Sequence, residues 1–440
     1  MRFTKTDFIN YLHCPKSLWL AKRGNELGLQ KSDDSSISQK PVREGYEVED
    51  YVRQYFDITV EQGLEFQAKF ETKDGLYARP DAIQRNLAGE TILYEVKSSN
   101  KVKTGPTHNH IKDVCFQKIC AERSGQRIDR VFLIHLNGDY VRNGAIDPTM
   151  LLNLVDLTTD VEIMVPEVEA EIDAALDFLS GEIQLNGCSC LEKSRAQHCD
   201  SFAVLNPDFP DLSIYDLPSL SAKKRQDLIS KDIIGIENIP EEYPLSPAQS
   251  VMVRAARSKQ TQINADEIRR FLSSLVFPLF FFDYETYGSA IPLIDGASPH
   301  KPIPVQYSLH VLHQNGKLEH KEYLEREAQL PLKLIEQMQK DIGSTGSLIS
   351  WHASFERTRN TEMASMYPEN SAFLQNLNER MVDLEDIFKI DYVDIRFKGS
   401  TSIKKVLPVV CPELNYSDLE VQDGSAAMDA WKRMIEADRA

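Results

Sequence analysis

Two apolar runs in this chain each end in charged side chains set two residues apart, and these runs constrain the fold most. Thr91-Ile-Leu-Tyr-Glu95-Val-Lys97 and Leu279-Phe-Phe-Phe-Asp283-Tyr-Glu285 are short, rich in aromatic and aliphatic residues, and read as strands. Alternate side chains of a strand share a face, so Glu95 projects beside Lys97, and Asp283 beside Glu285. Helical patterns flank both runs. An α/β organisation follows, with sheet ends that present charge from a buried interior.

The chain has 440 residues, enough at roughly 100–200 per domain for two or three domains. With 42% hydrophobic and 27% charged residues, it is neither globally disordered nor membrane-embedded. Lys and Arg number 50 against 67 Asp and Glu, a net charge of −17, which excludes holding nucleic acid by overall basicity. Any such contact has to be local, whereas clustered carboxylates suit an enzyme that binds a divalent cation. The N-terminal segment alternates polar and apolar residues, and residues 271–282 are interrupted by Ser273, Ser274 and Pro278. Neither a secretory leader nor a membrane span is expected, and the location expected is cytoplasmic.

Residues 1–204 read as one α/β domain. It has helices at 42–56 and 111–122, alternating runs around 66–97, a strand at Arg130–Leu136, and a last helix opened by Pro166 and stopped by Gly181. Residues 205–270 carry Pro210, Pro218, Pro240, Pro244 and Pro247 between short helical pieces and read as a helical connector. Residues 271–440 start a second α/β pattern, with strands near 279–285, 305–313, 319–324 and 347–351.

In the first domain Gly75-Leu-Tyr-Ala-Arg-Pro-Asp81 delivers an Asp about ten residues before the Glu95-Val-Lys97 strand, the length of a hairpin return. Two carboxylates bind a hard Mg²⁺ or Mn²⁺ ion, and a lysine beside them can orient water for attack on a phosphodiester. Here the sequence resembles the PD-(D/E)xK nucleases, in particular their RecB-like branch, whose domain has a restriction-endonuclease-like fold. The resemblance places Asp81 and Glu95 as metal ligands, with Lys97 as the catalytic lysine. Glu49 stands at the family's upstream acidic position and Gln117 at the glutamine of its Gln-x3-Tyr motif. Cys120 or Ala121 replaces the tyrosine. A Glu-x-Lys alone is commonly a solvated ion pair; the ordered set of five residues carries the resemblance.

Cys14, in Tyr11-Leu-His-Cys14-Pro-Lys-Ser-Leu-Trp19, looks like the first cysteine of RecB-like nucleases that bind a [4Fe–4S] cluster. Cys188, Cys190 and Cys199 stand where such proteins place three more, although the spacing Cys-x-Cys-x8-Cys departs from the usual one. Zinc or free thiols are the alternatives. Cys115, Cys120 and Cys411 read as ordinary core residues.

In the last domain Asp283 and Glu285 resemble the first motif of DnaQ-like (DEDD) exonucleases, which are built on an RNase H-like sheet. Trp351-His-Ala-Ser-Phe-Glu356 fits the second motif with Glu for Asp, making Glu356 a third metal ligand. Ala290-Ile-Pro-Leu, Ile303-Pro-Val-Gln306-Tyr-Ser-Leu-His310, Met381-Val-Asp383-Leu and Gly399-Ser-Thr-Ser-Ile403-Lys-Lys-Val-Leu-Pro408 resemble a bacterial family in which a RecB-like domain precedes a DnaQ-like one. The final aspartate of DEDD enzymes lies in Tyr-x3-Asp or His-x4-Asp; only Asp423 and Asp429 fall late enough, without that context. The last motif is therefore expected to be lacking. Local basic elements are Lys97, Lys101, Lys103 and Lys223-Lys-Arg225, the last in a stretch reminiscent of helix-hairpin-helix units. His108, His110, Trp351 and His352 lie near the two candidate sites in the sequence.

The resulting expectation is a metal-dependent nuclease acting on DNA, with a second, exonuclease-like domain. The rival is a catalytically weak nucleic-acid-binding scaffold on the same folds, and RNA remains open as the substrate.

Overall fold

The computed structural model describes residues 1–28, 39–60, 62–105, 108–414, 420–421 and 423–439. The chain forms two compact units: Met1–Pro207 with Ser289–His300, and Asp208–Gly288 with Lys301–Ala440. Both are mixed α/β. Among the described residues no helix is long and apolar enough to cross a membrane.

The first unit is built on a five-stranded sheet in the order Leu64–Phe66, Ala82–Arg85, Thr91–Lys97, Arg130–Leu136, Leu152–Asp156. Ala82–Arg85 returns as Thr91–Lys97 in an antiparallel hairpin that sets Ala82 opposite Tyr94. Thr91–Lys97 and Arg130–Leu136 are parallel and so need a crossover, which includes the helix His110–Arg123. Alternation decides which core each side chain enters. Ile92 and Tyr94 pack with Val48, Val52 and Phe56 of the helix Gln39–Thr59. Leu93 packs with Val114, Phe116 and Ile119 of the crossover helix. The strand is thus covered on both faces, and Glu95, which shares the face of Leu93, is buried.

The last helix of the sequence-defined domain differs from expectation. It runs Thr158–Ser180, with Pro166 inside it rather than at its start. Val161, Val168, Ile172, Ala175 and Leu179 form one buried stripe against the core. Burial of that continuous apolar face outweighs the backbone hydrogen bond that an internal proline forfeits.

In the second unit a five-stranded sheet runs Leu318–Leu324, Ile303–Leu312, Leu279–Tyr287, Ser347–Ser350, Met381–Asp383. Phe280, Phe282 and Tyr284 point into a core with Leu334, Ile335 and Met338 of the helix Leu332–Asp341, Met363 of Ser354–Met366, and Leu374 and Leu377 of Ser371–Arg380. By period two, Phe281, Asp283 and Glu285 take the opposite face. The helix Gly424–Arg439 packs beside that strand through Trp431, whose Nε1 donates to the Glu325 carbonyl at 2.7 Å and whose ring lies 4.8 Å from that of Tyr287. Ile214, Leu228, Ile236, Ile239 and Met252 from the proline-punctuated segment form a further core with Val393.

Asp394 pins that core at its edge. Its carboxylate accepts from Thr261 Oγ1 at 2.7 Å, from the Arg396 backbone N–H at 2.9 Å and from Arg396 Nη2 at 2.7 Å. Arg396 holds the Asp394 carboxyl down to about 2. Because the folded pKa is depressed, this stabilisation is present above the ordinary carboxylate range and disappears as pH falls from about 4 towards 2. Asp394→Ala is expected to lower unfolding stability by about 2 kcal/mol at neutral pH, after discounting for the exposed arginine. In urea melts the difference from wild type should shrink steadily from about pH 4 to pH 2.

Candidate nuclease and thiol sites

The hairpin and the crossover helix assemble the first constellation. Asp81 immediately precedes Ala82–Arg85, and its Oδ2 accepts from the Val96 N–H at 2.6 Å, tying it to the residue between Glu95 and Lys97. Glu95 is 2% exposed. Its Oε2 accepts from the Gln117 amide at 2.6 Å, and its Oε1 lies 3.0 Å from Lys97 Nζ. Lys97 Nζ also donates to Asp113 at 2.7 Å. Glu49 stands with Asp81, Arg53 and Phe66 around a small cavity, and its carboxylate accepts from Gln67 at 3.5 Å.

The charges of this group are strongly coupled. Burial raises Asp81, and the neighbouring Glu95 charge raises it further, well above the usual carboxylate range. Burial also works against Glu95, but Lys5 and Lys97 overcome it and hold that carboxyl low. Lys97 stays protonated despite burial because Glu95 and Asp113 flank its ammonium. His110 is pushed down to about 4 by burial and by Lys97, so it is neutral at pH 7. Hard oxygen donors with one proton's worth of mutual repulsion suit a divalent cation, which would be held by Asp81 and Glu95.

Sequence reasoning missed two members of this group. Asp113 was detectable, because it sits one helical turn before Gln117 on the same face. Lys5 was not: its Nζ reaches Glu95 Oε1 at 2.5 Å from 90 residues away. Lys101 and Lys103 are exposed, and Arg225 is buried on the helix Ala222–Ser230.

Cys14, Cys188, Cys190 and Cys199 converge, with all four sulfurs within 4.8 Å of one another. Cys188 and Cys199 Sγ are 4.0 Å apart. The close Cys-x-Cys spacing accommodates both thiols because the chain makes a 3-10 turn at Ser189–Glu192. A hydrogen bond from Cys199, opposed by burial, brings the Cys14 thiol down to about 5, and burial pushes Cys190 up to about 11. Four convergent cysteine sulfurs are the donor set of a soft metal or cluster, which would bind them as thiolates. Cys115 and Cys120 are fully buried and sit in the apolar core.

In the second unit Asp283 and Glu285 line a cavity of about 430 Å³ with Gln306, Ser308, Leu324, Ala427 and Trp431. Glu356, 2% exposed on the first turn of Ser354–Met366, shares a hydrogen bond with Asp283, and its Oε2 finds no protein partner. Burial and the charges of Asp283 and Asp383 raise it to about 7. Asp423 caps the helix Gly424–Arg439 by accepting from Ala426 N–H at 2.9 Å, and its charge also raises Glu285. Asp383 accepts from the backbone N–H groups of His352, Ala353 and Glu385. His352 Nδ1 lies 3.0 Å from Glu385, and Trp351 donates to the Thr401 carbonyl, so both serve the loop that carries Glu356.

Residues 280–402 match the model of a domain of unknown function, DUF2779. Uncharacterized protein MG366 of Mycoplasma genitalium is 29% identical over 171 residues, covering 34% of this chain and 25% of that protein. Its homolog in Mycoplasma pneumoniae is 29% identical over 169 residues, covering 34% of this chain and 26% of that protein. The chain thus spans about a quarter of the length of these curated relatives. Among solved structures, an alkaline exonuclease from Laribacter hongkongensis is 17% identical, with a TM-score of 0.25, over 41% of this chain and 91% of that one. The protein SSO0001 is 16% identical, with the same TM-score, over 39% of this chain and 76% of that one.

Gln117 tests how far the buried Glu95 depends on its neighbours. Gln117→Leu removes the amide from Oε2 while filling the same space. It is expected to cost about 1–3 kcal/mol in denaturant melts, because Glu95 keeps its burial and loses a partner.

Proposed function

We propose that the first unit is a RecB-like PD-(D/E)xK nuclease that hydrolyses DNA with Mg²⁺ or Mn²⁺. The observation that carries this reading is that Asp81 is tied to the residue between Glu95 and Lys97, and that Lys97 pairs with Glu95. Asp81 is anchored on the Val96 N–H, and Lys97 Nζ lies 3.0 Å from Glu95. In this reading Asp81 and Glu95 are the metal ligands, with Glu49 beside them, and the bound cation would supply charge neutralisation at the scissile phosphate. Lys97, kept protonated by Glu95 and Asp113, orients the attacking water and offers an N–H to the phosphate. Gln117 fixes the rotamer of Glu95. The neutral His110 imidazole sits behind Lys97 and adds no competing charge.

The second unit is DnaQ-like in this reading, with Asp283 and Glu285, which line the 430 Å³ cavity, and the buried Glu356 as cation ligands. The unpartnered Glu356 Oε2 is a buried carboxyl oxygen suited to a metal ligand. The four cysteines would hold a [4Fe–4S] cluster, which would tie the start of the first unit to its end. The nucleic-acid partner and a cytoplasmic setting belong to the same reading.

End-labelled single- and double-stranded DNA and RNA, incubated with Mg²⁺ or Mn²⁺, test it. Wild type should cut DNA, and Lys97→Ala should lose about 100-fold or more at a temperature where circular dichroism shows it still folded. Cleavage lost in Asp283→Ala but retained in Lys97→Ala would move the activity to the second unit. No cleavage with any metal would favour a binding scaffold, and cleavage of RNA alone would change the substrate. Anaerobically purified protein should be brown, with absorbance near 400 nm and about four irons per chain.

A further inference from the structure

The structure points to a role for Lys5 that no motif assigns, and the inference rests on the reading of Asp81 and Glu95 as cation ligands. We propose that Lys5 is the built-in counter-cation of that site: its ammonium neutralises Glu95 until a divalent cation takes its place, and so sets the affinity for that cation.

The placement of Lys5 is built into the fold. The strand Phe3–Thr4 pairs in parallel with Leu76–Ala78, the strand that leads to Asp81. Thr4 then caps the helix Lys5–His13 through a capping box with Asp7, and Asp7 is itself held by Lys22 at 2.6 Å. Phe8 is fully buried on the same helix. Lys5 is the first residue of this helix, so its backbone is fixed from both sides and its side chain can extend to Glu95.

Two ammonium groups meet one carboxylate oxygen, and they differ in how firmly they are held. Lys97 Nζ bonds both Glu95 and Asp113, and its side chain is 21% exposed. The Lys5 side chain is 31% exposed, and Glu95 is its ion-pair partner among the described residues. Lys97 therefore has a second anchor when Glu95 is engaged elsewhere. Lys5 is the exchangeable one. Its positive charge acts on Asp81 as well as on Glu95, which puts it where a cation bridging the two acids would act. A single positive charge there keeps two buried acids compatible, and a doubly charged ion with oxygen ligands replaces it at the expense of one ion pair. Once displaced, Lys5 is a free ammonium beside the site, suited to a phosphate of the polynucleotide backbone.

Mn²⁺ titrated into the full chain, with free ion followed by electron paramagnetic resonance, measures this directly; Asp81→Asn identifies the first site as the class of binding it abolishes. Lys5→Met and Lys5→Gln should each tighten that class by about five- to twenty-fold, since a competing charge is gone, while Lys5→Arg stays within about twofold of wild type. In wild-type protein, amine acetylation read by mass spectrometry should label Lys5 several-fold faster at saturating Mn²⁺, with the exposed Lys73 as an unchanged reference. Unchanged or weaker Mn²⁺ affinity in both neutral variants, or unchanged Lys5 labelling, overturns the role of Lys5 and leaves the nuclease reading standing. If Asp81→Asn abolishes no class of site, the cation-site reading itself fails, and this inference falls with it.

Discussion

A carboxylate that is 2% exposed in the middle of a sheet governs the first unit. Removing the charge of Glu95 from water costs several kcal/mol unless partners replace the hydration. The fold supplies three: Lys5 and Lys97 on one oxygen and Gln117 on the other. Three different elements must be in place for this. The terminal helix Lys5–His13, the strand Thr91–Lys97 and the crossover helix His110–Arg123 all meet at one carboxyl group.

The same physics takes a different form in the second unit. Asp283, Glu285 and Glu356 are all raised, chiefly by desolvation; the charge of Asp283 adds to the rise of Glu285 and Glu356, while the interaction with Glu356 partly offsets the rise of Asp283. Glu356 is caught between states, buried and with one oxygen lacking a protein partner. Where the first site answers buried charge with lysines, the second leaves its acids shifted upward, Glu356 to about 7.

The sheets were largely legible from period-two patterning. Arg130–Leu136 occurs over its expected residues, and the strand expected at 279–285 extends only to Tyr287. Strands buried on both sides leave little freedom in which residues face inward. Pro166 was misread because a proline is a strong local signal, while the apolar stripe that overrides it acts along the whole of Thr158–Ser180. Asp113 lay one turn from a residue already singled out, and only attention to that spacing was lacking. The Cys-x-Cys spacing of Cys188 and Cys190 departs from the usual one, yet a single 3-10 turn at Ser189–Glu192 goes with both sulfurs reaching Cys14 and Cys199.

The amino-acid sequence by itself determined which strands carry acids and which face each acid takes, because alternation along a strand is a local property of the backbone. It also determined that charge would have to be concentrated locally in a chain this acidic. Only the tertiary structure decided what those acids touch. Lys5 is 90 residues from Glu95, Asp423 is 138 from Glu285, and Cys14 is 174 from Cys188. Such pairs leave no periodicity in the sequence, and they arise because packing of distant apolar faces carries polar side chains to the same place.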